Sequence, residues 1–400
     1  MKFSRKLLAG AAMPALALAI SAVPAAAQDG VIRIGVSLRM IVENGLKYGQ
    51  MTKDELDGFE VNGKKVQVTL LDDECKPDKG IANVNRFVNQ NKVHLVIGST
   101  CSSVSMPMVD ITAKEEVPQI VPHSTNAGIT KKGSAWVFRT SVSERFYASV
   151  HAKYLSENVG KKVAFLYTND AAGIGFAKDY MAFMKRTYNV DPAYEAQMQE
   201  TDLDFRAHLL KIKSLGVDVL AIGGQLDAIA RIAQQSIEVG IPTKVRRVAA
   251  SAASNAPVPE LAGDAAVGLT FAAAFNCKDE RPEAQAFVKM VQEKYKTRCP
   301  DHDFSQAYET AQIVKLALSK AKLGLTDATL KADRTAIRDA LATIKDFKGL
   351  ASGPINFCAE PTPQCRDGNR AGILVEYSKG GKDFDTRILA RVSFEPDFGL

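Results

Sequence analysis

Two short runs decide the reading: Leu70-Leu71-Asp72-Asp73-Glu74-Cys75-Lys76-Pro77 and Val96-Ile97-Gly98-Ser99-Thr100-Cys101-Ser102-Ser103. Between them Ile81, Val84, Phe87 and Val88 recur at helical spacing. The stretch therefore runs strand, helix, strand, with a cysteine at the end of each strand. The second strand hands over to the next helix through a Ser-rich turn. Apolar strands that alternate with helices belong to parallel sheets covered on both faces. In such sheets ligands gather beyond the carboxyl ends of the strands, where helix N-termini present free N–H groups.

The same rhythm extends both ways. Strands are expected over residues 31–36, 66–71, 93–97 and 117–121, with helices over 77–90 and 103–115, the latter capped by Ser102 or Ser103. After Arg139 the alternation restarts. Helices are expected over 144–158, 175–187, 205–215 and 228–239, with strands over 163–167, 194–198, 217–222 and 245–249. In the third of these strand–helix units Ile229, Ile232, Ala233 and Ile237 form one apolar helix face. The remainder changes character: helices over 281–297, 305–322 and 330–343, then strands over 354–357, 372–377 and 388–394. Two βα units of similar size with a helical continuation predict an α/β protein of two lobes with a cleft between them.

Residues 1–27 read as a cleavable export signal. Lys2, Arg5 and Lys6 precede an Ala- and Leu-rich run, and Ala25-Ala26-Ala27 supplies the small residues of a cleavage site before Gln28. That segment holds three basic residues and no acidic one, so the net charge of +6 falls to +3 over the remaining 373 residues. A near-neutral chain gives no case for nucleic acid. No other segment has the ~18 uninterrupted apolar residues of a membrane span. Six cysteines in an exported chain favour disulfides, with 15 possible pairings. Sequential pairing is expected. Cys75–Cys101 would tie neighbouring strand ends, Cys277–Cys299 would bracket a helix, and Cys358–Cys365 would close a Pro-rich loop. No cysteine or histidine pair has metal-ligand spacing, and no metal or cofactor is expected.

Candidate ligand contacts lie where strands end. Ser102, next to Cys101, adds a hydroxyl to a helix N-terminus. Pro122-His123-Ser124-Thr125-Asn126 follows the adjoining strand and offers His123, Ser124 and Thr125. On the second lobe Gln225 after Gly223-Gly224, and Ser251, hold the matching strand-end positions. The run Tyr167 to Gly175 lacks the third glycine of a dinucleotide fingerprint, so no nucleotide site is expected there. No catalytic residue is put forward, because nucleophile elbow, zincin and Walker motifs are all missing. Asp72-Asp73-Glu74 reads as a polar, structure-capping loop, and Lys244, Arg246 and Arg247 as solvated surface.

With those residues in view, the chain resembles the type I periplasmic solute-binding proteins of the leucine/isoleucine/valine kind. The likeness rests on Ile32-Arg33-Ile34-Gly35-Val36, Asn62-Gly63-Lys64-Lys65-Val66, Asp72-Asp73-Glu74-Cys75 with Pro77, and Val96-Ile97-Gly98 leading to Cys101-Ser102-Ser103. It continues through Phe138-Arg139-Thr140, Ile222-Gly223-Gly224 and Gly353-Pro354. The resemblance implies two Rossmann-like lobes with parallel central sheets, joined by three hinge crossovers. It places residues 28–141 and 275–369 in one lobe and 142–274 and 370–400 in the other. It also implies closure on a small solute, an amino acid of the branched-chain type or a related small carboxylate, and delivery by a monomer to an inner-membrane ABC permease. It supports the Cys75–Cys101 bond.

In that family Ser102 and Thr125 would hold an amino acid's carboxylate, and the His123 carbonyl its ammonium. The resemblance also exposes departures. Family aromatics align with Ala172 and Gln225, and the acid that pairs with the ammonium aligns with Ser251. Losing that acid removes a hydrogen bond worth about 1.5–3 kcal/mol. Asp170 and Asp227 are the nearby candidates to replace it. The loop over 39–46 is unusual, and the first helix, between Tyr48 and Gly58, looks only about two turns long. The competing expectations are a ligand sensor that presents an organic acid or amide to a signalling receptor, and an exported hydrolase.

Overall fold

The computed structural model describes residues 30–351 and 353–393. The expected export signal, residues 1–27, lies outside them. Six strands come first: β1 (Val31–Leu38), β2 (Glu60–Val61), β3 (Lys64–Asp72), β4 (Leu95–Gly98), β5 (Gln119–Val121) and β6 (Val137–Val142). Five follow: β7 (Val163–Thr168), β8 (Tyr194–Met198), β9 (Val219–Gly223), β10 (Arg246–Ala249) and β11 (Leu269–Ala273). Then come β12 (Asp367–Asn369), β13 (Ala371–Lys379) and β14 (Asp385–Ser393).

These strands make two seven-stranded sheets, ordered β12-β6-β5-β4-β1-β3-β2 and β14-β13-β11-β10-β9-β7-β8. Pairing is parallel except for the short β2–β3 pair and the β11-β13-β14 edge. All residues of β4, β5, β6, β7 and β9 are buried, as strands with helices on both faces must be. The chain passes from one sheet to the other three times: after β6, after β11, and between β12 and β13. Each lobe has its own core. One joins Ile34, Val36, Ile97 and Ile120 to Phe287, Phe304, Val314 and Leu341 from the later helices. The other gathers Phe165, Phe176, Tyr180, Leu220, Ile222 and Phe271.

The strand order sets where a ligand can sit. In the first sheet the chain runs from β1 to β3 on one side, then crosses to β4 on the other. In the second it runs from β7 to β8, then crosses to β9. The crevices between β1 and β4 and between β7 and β9 are therefore the switch points, where no connection covers the strand ends.

All three sequential disulfides are present, Cys75–Cys101, Cys277–Cys299 and Cys358–Cys365. Several sequence expectations need correction. The first helix is Glu43–Leu56, 14 residues. It starts before Tyr48 because the loop after β1 is only four residues long. Residues 354–357 form no strand; Ile355 makes a single bridge to Phe347, since a Pro-led segment cannot extend a ladder. The helix Ala171–Tyr188 begins four residues earlier than expected, because the Asp170 carboxylate accepts from the N–H groups of Ala172 and Gly173. The helix His302–Lys320 is likewise started early by Asp301. Ile237 is exposed, and Ser236 is buried in its place. The basic run is not simply solvated: Arg247 donates to the carbonyls of Ala265 and Val267, at 2.6 Å each, and Arg246 pairs with Glu376.

Candidate ligand-binding site

On the first lobe, the strand ends are locked to one another by buried polar groups. Asp73 accepts from the hydroxyls of Ser37 (3.1 Å) and Ser99 (2.7 Å) and from the Cys75 N–H (3.0 Å). Ser105 Oγ accepts from Ser99 N–H at 2.8 Å and meets Ser124 Oγ at 2.7 Å; Ser124 Oγ also donates to the Ser99 carbonyl. Thus Asp72 and Asp73 are structural, as their sequence context suggested. Asp72 accepts from the Met40 and Glu74 N–H groups.

Above this base the switch point opens. Thr100 Oγ1 accepts from the Arg39 N–H at 3.3 Å and lies 3.4 Å from His123 Nδ1. His123 Nε2 is 3.0 Å from the Asp303 carbonyl. A carbonyl only accepts, so the Nε2 proton is fixed and Nδ1 is left to accept from Thr100. Burial holds the His123 ring below its usual pKa, against the opposing Asp303 charge. The loop carrying Thr125 is clamped by Arg139, which donates to the Thr125 and Asn126 carbonyls and pairs at 2.6 Å with Asp367. Both partners are fully buried.

The facing wall comes from the second lobe. Ala172 opens a helix after β7, and Gly224 and Gln225 follow β9. Ser251 begins a single helical turn, Ser251–Ser254, after β10. Gly224 has φ +145°, and a Cβ there would lie 2.6 Å from Thr168 Oγ1, so only glycine fits.

The two walls enclose one cavity, with about 40 Å³ open to the centres of water-sized molecules. Its lining includes Ser102, His123, Thr125, Ala172, Gln225 and Ser251, brought together from five strand ends. Cys101 and Ser124 do not reach it. The Cys101 sulfur is in the disulfide, and Ser124 faces the Ser99–Ser105 cluster beneath. Nor does either suggested replacement acid line it: Asp170 caps its own helix and Asp227 is exposed.

The acids on the cavity are instead Glu144 and Asp303, joined by Arg39, Thr100, Asn255 and His302, none of which the sequence reading selected. Glu144 is the first residue of a helix after β6, anchored through its N–H to the Thr125 carbonyl at 2.7 Å. Burial pushes its carboxyl up to about 8; the Thr125 side chain and Arg139 oppose the rise and Asp179 adds to it. Its Oε1 has no hydrogen-bond partner among the described residues. His302 is held below its usual pKa by burial, and its Nε2 lies 3.5 Å from Asp303 Oδ1. The apolar side chains on the lining are three alanines, Ala172, Ala250 and Ala252. The lining therefore offers mainly polar and charged groups and little apolar surface. Among the described residues one group has metal-ligand spacing, Cys358, Glu360 and Cys365, but its two sulfurs are joined to each other.

The sequence profile of the periplasmic binding proteins matches residues 41–382. The chain belongs to the periplasmic binding protein family. Its role is binding, not catalysis. A Pseudomonas aeruginosa relative, the leucine-, isoleucine-, valine-, threonine- and alanine-binding protein, is 28% identical over 268 residues, 65% of this chain and 69% of that one. Among solved structures, a leucine-binding protein of Thermotoga maritima superposes with a TM-score of 0.76 at 23% identity, over 90% of this chain and 99% of the other. A Rhodopseudomonas palustris solute-binding protein, solved with 4-hydroxybenzoate, gives 0.79 at 18% identity over 92% and 99%. At those identities the structural likeness speaks for the two-lobed fold.

Proposed function

We propose that this periplasmic binding protein is the exported solute-binding component of an ABC importer, and that its two lobes close on an amino acid or related small carboxylate. One observation carries the reading: the switch points of both sheets face each other across one polar cavity. In this account the Ser102 and Thr125 hydroxyls and the N-terminus of the helix Ser102–Lys114 take the carboxylate. Glu144 and Asp303 are the acids available to an ammonium group, in place of the one missing at Ser251. A ligand that touches both walls favours the closed arrangement by its differential affinity, and no chemistry is needed.

The relatives named above bind aliphatic amino acids and threonine, leucine, or an aromatic acid. Here three alanines supply the apolar lining, so a bulky aliphatic or aromatic group is poorly provided for. The test is a thermal-shift panel on unfolded and refolded protein, to remove carried-over solute. Small amino acids are paired with their deaminated analogues. A binder at 100 times its dissociation constant stabilises by about 2.7 kcal/mol. Stabilisation by amino acids alone supports an ammonium partner in the cleft; stabilisation by the analogues alone supports organic acids. If no small carboxylate shifts the melting temperature, the reading fails.

A further inference from the structure

Arg39 is the one guanidinium on the cavity, and its side chain is 93% buried, being only 7% exposed. Its Nε has no hydrogen-bond partner, and no described carboxylate forms an ion pair with it. The cavity's own acids, Glu144 and Asp303, leave it unpaired. A guanidinium is a permanent cation, and a buried cation without a counter-ion is costly. Arg366 and Arg334 are also buried with unpartnered guanidinium nitrogens and no ion pair among the described residues, but neither lines the cavity. Two other buried arginines are matched in full. Arg139 is matched by Asp367 and three further acceptors, and Arg247 by two carbonyls.

Its backbone is also fixed in place. The Arg39 carbonyl accepts from the Tyr48 hydroxyl at 3.3 Å. It passes so close to Gly45 that any Cβ there would collide with it. The Arg39 N–H is tied to Thr100. Such clamping suits a group whose task is to meet something else.

Resting on the small-carboxylate reading above, we propose that Arg39 is a second anion anchor, and that the solute is a short dicarboxylate. The geometry gives the spacing. β1 and β4 are paired with Ser37 opposite Gly98, and β4 and β5 with Ile97 opposite Ile120. Arg39, Thr100 and His123 therefore leave three adjacent strands side by side. Arg39 stands one strand from Ser102 and two from Thr125, so the backbones that carry the two anion stations are about 5–10 Å apart. A short carbon chain with a carboxylate at each end spans that distance. The planar fork of Arg39 suits bidentate binding of one carboxylate, while the hydroxyls and helix N-terminus take the other. Glu144 and Asp303 lie on the same cavity and would accept an ammonium if the diacid carries one.

The test is isothermal titration of refolded protein at pH 7 with L-glutamate and succinate, against L-alanine and butyrate. The same titrations are run on Arg39→Met and Arg39→Lys. At least one diacid should bind ~30-fold or more tightly than the monoacids. Arg39→Met should erase that preference while raising the melting temperature of the ligand-free protein, because it removes an unpaired buried charge. Arg39→Lys should keep part of the preference. Glutamate alone would mark an amino diacid, and succinate alone a diacid without ammonium; either supports the proposal. Monoacid binding within about threefold of the diacids, unchanged in Arg39→Met, overturns the Arg39 assignment and leaves the small-carboxylate reading standing. Binding by no member of the panel overturns both. Should Arg39→Met fail to fold, the native panel and Arg39→Lys still decide.

Discussion

The two walls of the cleft are built differently. The first-lobe wall is a cross-bonded polar layer: Asp73, Ser99, Ser105 and Ser124 brace one another, and Thr100, His123 and Asp303 form a relay above them. The second-lobe wall is made of small residues, Ala172, Gly224, Ala250, Ser251 and Ala252. Its longer side chains are Asn255, Glu144 at the crossover after β6, and Gln225, which reaches back 3.4 Å to Asp170. A preorganised wall fixes orientation with little left to order on binding, whereas a smooth wall covers and excludes water. In the proposed reading, most of the anchoring groups come from the first lobe, and the second lobe closes over them.

The largest test of that contrast is mechanical. Asp367→Ala would strip the buried Arg139 of its partner and loosen the Thr125 loop. Breaking one side of a buried pair costs about 3–5 kcal/mol, so urea unfolding should show a loss of that order. A loss below about 1 kcal/mol would mean the Thr125 loop does not depend on the pair.

Next comes the anchoring itself. Ser102→Ala and Thr125→Ala should each weaken binding of the best panel ligand by about 10- to 100-fold, the range of a hydrogen bond to a charged group. Both variants should stay folded. Unchanged affinity in both would remove these residues from the site.

A third test uses pH. The folded-state pKa of Glu144 is raised to about 8, whereas an exposed glutamate titrates near ~4.3. Between those values the folded protein holds a proton that the unfolded chain has released. Its contribution to stability therefore falls as pH rises through this window, by up to about 1.4 kcal/mol per pH unit. Glu144→Gln has no such group, so its stability relative to the native protein should climb across the window. Asp301 and Glu309, raised to about 8 and about 7 by burial, titrate there too. They are common to both proteins and cancel in the difference. A flat difference from pH 5 to 8 would contradict the buried state of Glu144.

The smallest effect is expected on the smooth wall. Gln225→Ala should change affinity by less than about threefold, under 1 kcal/mol. A loss matching Thr125→Ala would erase the contrast between the walls.

Much of this was legible from local pattern. Apolar strand runs located the ends that carry Ser102, Thr125, Gln225 and Ser251, and strand-end logic pointed each toward a ligand. Cysteine order alone suggested the three pairings that formed. What escaped was set by tertiary contact. His302 and Asp303 reach the site from 180 residues beyond His123, and no local period signals that approach. Asp301, three residues before Phe304, was a helix-start signal that would have moved that helix to its true beginning. Arg39 was within reach: it follows β1 as Ser99 follows β4, so the strand-end rule applied to it equally. Glu144 opens a helix just after the Phe138-Arg139-Thr140 motif, but no local pattern signals that its carboxyl is buried with one oxygen unpaired.

The central claim is that the two lobes meet around a bound solute. One contact reports on it directly. Asn126 of the first lobe donates to the Ala171 carbonyl of the second at 2.6 Å, and a Cβ on Gly175 would lie 2.8 Å from Asn126 Nδ2. Every native cysteine is already paired, so Asn126→Cys with Gly175→Cys would supply the only free thiols. The measurement is the rate of cross-linking between them, with and without the panel ligand that raises the melting temperature most. The account predicts that this ligand speeds cross-linking, because it holds the lobes together. A rate indifferent to a ligand that demonstrably binds would contradict it.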